Sequence, residues 1–249
     1  METGKNPRFF SPLRGKSVLR RAAKGLEELF YPSHAMCLCC QSMIGQSREW
    51  ICPECAQKLR ENWRGNHVAA ANWPLFRVAH AYRYQGPAAE MVLALKYRGA
   101  RVLAASMARD MAVAYYALMV SEQPLVTAAP MHWMRLRQRG YNQAEILART
   151  LCRELGLEYG QVLRKIHSTP RQTRLSAQER EKNLTGSMVA AREARGRTIL
   201  LIDDVFTTGT TARTCAEALL AVGAKRVYAL TYAVAGRSEN TPSAFADTD

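Results

Sequence analysis

The segment Thr198–Thr214, TILLIDDVFTTGTTART, constrains the fold of this 249-residue chain more than any other. Thr198 to Ile202 form a short apolar, β-rich run bounded behind by Gly196, the pattern of a fully buried strand. Two adjacent carboxylates, Asp203 and Asp204, end the run, and a threonine-rich turn around Gly209 follows. From Ala212 onward, Ala212, Cys215, Ala216, Leu219 and Leu220 recur at helical spacing up to Gly223, which suits a cap just past the helix end. The predicted order is strand, carboxylates, loop, helix.

That order has a chemical use. Backbone N–H groups of a small-residue loop at a helix start are unpaired and sit at the positive end of the helix dipole, so they can hold a phosphate. Gly209 lets the backbone approach closely, and the hydroxyls of Thr207, Thr208, Thr210 and Thr211 add hydrogen bonds. The two carboxylates just upstream suit ribose hydroxyls, or a hydrated Mg²⁺ bridging to a diphosphate. A plain helix N-cap accounts for one Thr or Asp here, not for both acids followed by TTGTT.

DDVFTTGTT after a hydrophobic strand resembles the phosphoribosyl pyrophosphate (PRPP) signature of the type I phosphoribosyltransferases. The resemblance implies that Asp203 and Asp204 contact the ribose and act in catalysis, and that Thr207, Thr208, Gly209, Thr210 and Thr211 wrap the 5′-phosphate. It further implies a PRPP–Mg²⁺ complex in which the ion and arginines stabilise an oxocarbenium-like sugar and a departing diphosphate, with no nucleophile needed.

A chain of this length can bury the core of one α/β domain and hold something smaller beside it. Its 35 Lys and Arg against 21 Asp and Glu give a formal charge of +14, which favours polyanionic partners, phosphorylated small molecules or nucleic acid. The most apolar long stretch, Val102–Val120, is broken by Arg109 and Asp110, so no bilayer-spanning run is expected. The N-terminus METGKNPRFF develops no apolar core of signal-peptide length, and a cytoplasmic location is the expectation.

In such a compartment, seven cysteines point to metal or inert thiols before disulfides. Cys37 and Cys40 form one CxxC pair, Cys52 and Cys55 a second. Each pair places two thiolates on a tight knuckle, and two knuckles complete the tetrahedral shell of a closed, structural Zn²⁺ site. Cys39 crowds the first knuckle and offers an alternative to Cys37 or Cys40. So small a unit has little core of its own, and its fold should depend on the metal.

Residues 1–35 are basic, with Val18, Leu19, Ala22, Leu26, Leu29 and Phe30 spaced for a short amphipathic helix and residues 1–12 expected to be disordered. Residues 36–60 are the expected zinc ribbon, 56–75 a linker or short helix, 76–235 the α/β domain and 236–249 a flexible tail. From Val78 the pattern is strand-like, turns at Gln85-Gly86-Pro87 and becomes helical through Met91, Val92 and Leu95, with Leu103–Met119 as a further helix. Lys96 and Arg98, at the end of the first of these helices, could reach a phosphate or simply complement a helix C-terminus.

Pro124–Ala129 reads as a strand leading into AAPMHWMRLRQRGYNQAEILART. Arg135, Arg137 and Arg139 are expected to crowd a loop before Gly140, where guanidinium forks suit diphosphate or phosphodiester oxygens. Asn142 suits an N-cap, Ala144, Leu147, Ala148 and Leu151 a buried stripe, and Gly156 a stop. By resemblance to type I phosphoribosyltransferases, Ala129–Arg135, with Pro130 and Met131, occupies the place of the pyrophosphate loop. Cys152 and Cys215 fall on apolar helix faces, as inert core residues do. Residues 163–183 are basic and polar with little periodicity, a long loop whose Arg164, Lys165, Arg171, Arg174 or Arg180 could cover an anion. Arg226–Val234 reads as a further strand.

The paired cysteines, LKYRG, RLRQRGYNQAEILA, TPRQTRLSAQEREKNL and LIDDVFTTGTTA occur in an order that resembles the ComF/GntX-like phosphoribosyltransferase-like proteins linked to bacterial competence, over roughly residues 36–235. Thr169, Gln172, Leu175, Arg180 and Asn183 carry part of that likeness. It implies a zinc ribbon joined to a Rossmann-like parallel sheet flanked by helices. It also implies handling of single-stranded DNA during natural transformation, beside a competence helicase or uptake machinery. Arg137, Arg139, Arg171, Arg174 and Arg180 are the nucleic-acid candidates. Three functions follow: a PRPP-binding enzyme, a DNA-binding competence factor, or a transferase of nucleobase salvage. The last needs a base pocket that no segment identifies.

Overall fold

The computed structural model describes residues 36–44, 50–65, 67–70, 74–166 and 188–235. The run Thr198–Ile202 begins strand β7 (Thr198–Phe206), and Ile199, Leu200, Leu201 and Ile202 are all buried. Continuous burial, in place of alternation, is what a parallel strand covered on both faces requires. The elements before it are α1 (Pro53–Glu61), β1 (Val68–Ala70), β2 (Arg77–Arg83), α2 (Gly86–Tyr97), α3 (Leu103–Ala117), β3 (Leu125–Ala128), α4 (Trp133–Arg139), α5 (Gln143–Leu155), β4 (Glu158–Tyr159), β5 (Leu163–Lys165) and β6 (Met188–Ala190). A 3-10 turn at Arg192–Ala194 leads into β7, and α6 (Thr210–Ala221) and β8 (Arg226–Val234) follow it.

The main sheet has the order β1-β2-β8-β7-β3-β4. Five strands, β2 to β4 in that order, are parallel, and β1 is added antiparallel on the β2 edge. Helices α3 and α5 cover one face, α3 against β2 and β8 and α5 against β3 and β7, while α6 packs against β8 and β6 on the other. This is the α/β layering expected from the sequence. Strands β5 and β6 pair antiparallel as a separate two-stranded sheet, with Leu163 opposite Ala190.

Local chemistry sets the ends of the elements. Asn142 Oδ1 accepts from Ala144 N–H at 3.1 Å to start α5, and Gly156 at φ 67° ends it. Past α6, Gly223 takes φ 94° and Ala224 N–H reaches back to the Leu219 carbonyl at 3.1 Å. The turn at Gln85-Gly86-Pro87 runs straight into α2. Strand β1 has no counterpart in the sequence pattern; it follows a stretch where Trp63 bridges to Tyr82 and the two rings meet edge to face at 5.1 Å.

Two expectations are corrected. Arg135, Arg137 and Arg139 lie on a helix, α4, and not in a loop. Residues 133–139 are mainly good helix formers, His132 Nδ1 accepts from Met134 N–H at 3.3 Å, and Gly140 is the left-handed residue that stops the helix. The basic loop expected over 163–183 does not begin as one: Leu163–Lys165, with Arg164 and Lys165, form strand β5 paired to β6. The expected amphipathic helix over 18–30, the disordered start at 1–12, the tail at 236–249 and the rest of that basic segment beyond residue 166, with Arg171, Arg174 and Arg180, lie outside the described residues.

Candidate functional site

The strand order places the site. Strand β3 leads through α5 to β4 on one side, whereas its neighbour β7 leads through α6 to β8 on the other. A crevice opens at the carboxyl ends of two parallel strands whose connections diverge in this way. The residues there are those after Ala128 and after Ile202, which are opposite each other in register, with Ala129 N–H bonded to the Ile202 carbonyl at 2.8 Å.

A cleft of about 320 Å³, part of it open to solvent, lies at the end of β7. It is lined by Asp203, Val205, Thr207, Gly209, Thr211 and Thr231, among others. Gly209 has φ 77°, and a Cβ there would sit 2.7 Å from Phe206 Cζ, so both its backbone conformation and the Phe206 ring demand glycine. Thr208 and Thr210 exchange a hydroxyl hydrogen bond at 2.8 Å at the start of α6.

Strand alternation sends the two acids to opposite faces. Asp203 faces the cleft on the α6 side. Asp204 is buried on the other face, where Lys96 Nζ of α2 approaches its carboxylate at 2.9 Å. Lys96, expected near a phosphate, is thus tied to an acid. Burial, and then the charge of Asp204, push the Asp203 carboxyl up to about 7, against the Asp204 N–H donated to Asp203 Oδ1 at 2.8 Å and the charge of Lys96. The cleft therefore holds a carboxyl poised to ionise near neutrality, ready for hydroxyls or a hydrated cation.

Two side chains beneath the cleft escape sequence reasoning. Asp203, Thr231 and His80 are register partners across β7, β8 and β2. The Thr231 hydroxyl donates to the Ala233 carbonyl at 3.0 Å, so at 2.8 Å from His80 Nδ1 it accepts, and the imidazole proton is on Nδ1. Burial depresses His80 to about 4, keeping it neutral, and its ring lies 5.1 Å from that of Phe206. A lone His within an apolar strand was the only sequence signal, and it names no role.

On the β3 side, Pro130 and Met131 are half-buried, Arg135 and Arg137 are exposed on α4, and Arg139 stacks 4.7 Å over the Tyr97 ring. The Asn142 side chain holds the Ala129 carbonyl at 2.9 Å and so fixes the start of this loop.

The sulfurs of Cys37, Cys40, Cys52 and Cys55 all lie within 4.8 Å of one another. Gln41 at φ 61° closes the first knuckle, its N–H bonded to the Cys37 carbonyl at 2.9 Å. Backbone N–H groups of Cys52 and Cys55 point at the sulfurs of Cys37 and Cys52, at 3.3 and 3.4 Å. Four thiols so gathered, with N–H donors suited to thiolates, could hold a soft tetrahedral ion such as zinc. Cys39 is turned elsewhere: its thiol donates to the Pro87 carbonyl at 3.7 Å, and burial pushes it up to about 12.

No helix among the described residues is long and apolar enough to cross a membrane.

Residues 136–247 match the family model described as the phosphoribosyl transferase domain. DNA utilization protein YhgH of Salmonella typhimurium is 26% identical over 212 residues, covering 77% of this chain and 93% of that protein. Competence protein F of Haemophilus influenzae is 31% identical over 106 residues, 41% of this chain and 46% of that one. Competence protein ComFC of Bacillus subtilis is 23% identical over 206 residues, 78% and 82% of the two chains. A parallel sheet with its cleft at the DDVFTTGTT turn, a four-cysteine cluster upstream and relatives of these three kinds point one way: the chain is similar to the ComF-like, phosphoribosyltransferase-type proteins, and its residues 136–247 match their phosphoribosyl transferase domain.

Proposed function

We propose that this protein binds PRPP with Mg²⁺ and handles single-stranded DNA in DNA uptake and natural transformation, with a structural zinc on Cys37, Cys40, Cys52 and Cys55. The observation that carries the reading is the convergence of Asp203, Thr207, Gly209 and Thr211 on one cleft at the point where the strand connections diverge. Backbone N–H groups and hydroxyls of Thr207–Thr211 receive the 5′-phosphate, and Asp203 faces the ribose hydroxyls or the hydrated ion. Asp204 keeps Lys96 in place beside them. The diphosphate lies toward Pro130, Met131 and Arg135.

The DNA part of the reading is supported by the net charge of +14 and by helix α4, which buries none of its residues and exposes Trp133 together with Arg135 and Arg137. Aromatic faces beside guanidinium groups suit unpaired bases and their phosphates. The names of the relatives above, which speak of competence and DNA utilization, point to the same process.

Calorimetric titration of the zinc-loaded protein with PRPP and Mg²⁺, repeated with single-stranded DNA present, tests both parts. Micromolar PRPP binding that disappears in an Asp203→Asn, Asp204→Asn double variant is the expected result. Absence of binding by the unaltered protein overturns the PRPP assignment, and no retention of single-stranded DNA at low salt overturns the other.

A further inference from the structure

Helix α2 reaches from the cysteine cluster to the wall of the cleft. Among the described elements it packs most extensively against α1, and after that against α3. Helix α1 is in turn part of the cluster: Cys52 is its N-cap and Cys55 lies in its first turn. This unit has no separate core, because Cys37, Cys52, Cys55 and Leu59 are buried in one continuous cluster with Ala88, Met91 and Val92 of α2. Two side chains tie it to the start of α2. Gln85, the residue before α2, donates from Nε2 to Oδ1 of Asn62, the residue after α1. On the first knuckle, the Cys39 thiol donates to the carbonyl of Pro87, in the first turn of α2.

The other end of α2 meets the paired acids. Beyond Pro87 the helix reads AAEMVLALK, good helix formers with no glycine or proline, so it is a stiff rod that rises about 14 Å from Pro87 to Lys96. Its last turn sets Lys96 Nζ 2.9 Å from the Asp204 carboxylate and offers the Leu95 carbonyl to the Tyr141 hydroxyl. Asp204 directly follows Asp203 on β7, so a displaced α2 withdraws the cation from a buried carboxylate beside the cleft. A cysteine unit this small keeps its shape through its metal. We infer that the metal cluster positions Lys96 through α2, so that zinc on the cysteines and PRPP with Mg²⁺ at the Asp203 turn bind cooperatively. The coupling rests on the PRPP and zinc readings above. Reciprocity requires PRPP to tighten zinc by the same factor that zinc tightens PRPP.

Equilibrium competition for zinc between the full chain and a zinc-selective chelator, with and without saturating PRPP and Mg²⁺, measures the coupling. The expected result is a zinc affinity about tenfold tighter with PRPP present. Two variants cut the rod at its two ends. Cys39→Ala with Gln85→Ala removes both side-chain ties at the start of α2 and leaves the four clustered cysteines and every cleft residue in place. Lys96→Met removes the hold on Asp204. In each, the factor should fall below about threefold while zinc still loads; if Lys96→Met does not fold, the first variant decides alone. Unchanged zinc affinity in a parent that binds PRPP overturns the inference. So does an undiminished factor in the first variant, which marks general stabilisation of the fold by either ligand. A parent that takes up zinc but no PRPP in calorimetry brings down the PRPP reading and the inference with it, and one that takes up no zinc brings down the metal reading likewise.

Discussion

Replacing Asp203 by Asn should make the ligand-free protein more stable, and increasingly so as the pH rises. The Asp203 carboxyl titrates near 7 in the folded chain against 3.8 for an ordinary aspartate. Between those values the folded state holds a proton that the unfolded state has released, so stability falls as the pH climbs through that window and stays low above it. A shift of about three units at 1.36 kcal/mol each sets a ceiling of about 4 kcal/mol. The cleft is open to water, which stabilises part of the charge, so about 1–2 kcal/mol is expected at pH 8. Asparagine has nearly the same shape and no charge, and removes that cost. Urea unfolding of the metal-loaded protein at pH 5.5 and pH 8 measures it: the gain at pH 8 should be about twice that at pH 5.5, because only half of the window has been crossed at the lower value. A gain independent of pH, or a loss at pH 8, would refute the argument. The same variant should lose PRPP affinity, so the residue that weakens the fold is the one the cleft needs.

Other changes act through different contacts. Gly209→Ala forces an unfavourable backbone and a contact with Phe206; it should cost about 1–3 kcal/mol and abolish PRPP binding, measured by thermal melts with and without ligand. Lys96→Met leaves the Asp204 carboxylate buried without its cation and should destabilise the chain by about 3 kcal/mol in urea unfolding, an effect that Asp204→Asn in the same chain relieves. Cys55→Ser should lower bound zinc in elemental analysis from one ion per chain to a small fraction and expose the 36–61 region to protease. Affinity for single-stranded DNA should fall steeply with salt, and an Arg135→Ala, Arg137→Ala double variant should reduce the slope of log K against log salt by about 1.4.

Where local chemistry decides the structure, the sequence was readable. The run before Asp203 is apolar because both sheet faces are covered, and such a run declares itself without a partner. Asn142 and Gly156 mark the ends of α5 through bonds to their own helix. Paired CxxC knuckles name their chemistry because few other uses need two of them. What the chain did not disclose depends on neighbours far away in sequence. Nothing near Asp204 says that Lys96 lies against it, and nothing near Cys39 says that its thiol meets Pro87, which separates it from the four that cluster. The arginines of α4 do not show as helical in the sequence because the helix that carries them has no buried stripe, and periodicity is visible only where one face is apolar.

His80 and Thr231 touch across 151 positions of chain, and the whole of β2 rests on β8, the last strand of the sheet. Contacts of such separation form slowly, because a long loop must close before they return any stabilisation. During synthesis the cysteine cluster and β2 leave the ribosome well before β8, and β2 has no parallel neighbour until β8 has been made. The chain therefore makes one edge of its sheet early and seats it late. Until then, a metal on the four cysteines is what can give the N-terminal part order of its own. A nascent chain short of metal would wait with that edge uncovered, and its vulnerability to aggregation would be set by zinc supply during translation more than by the stability of the finished fold.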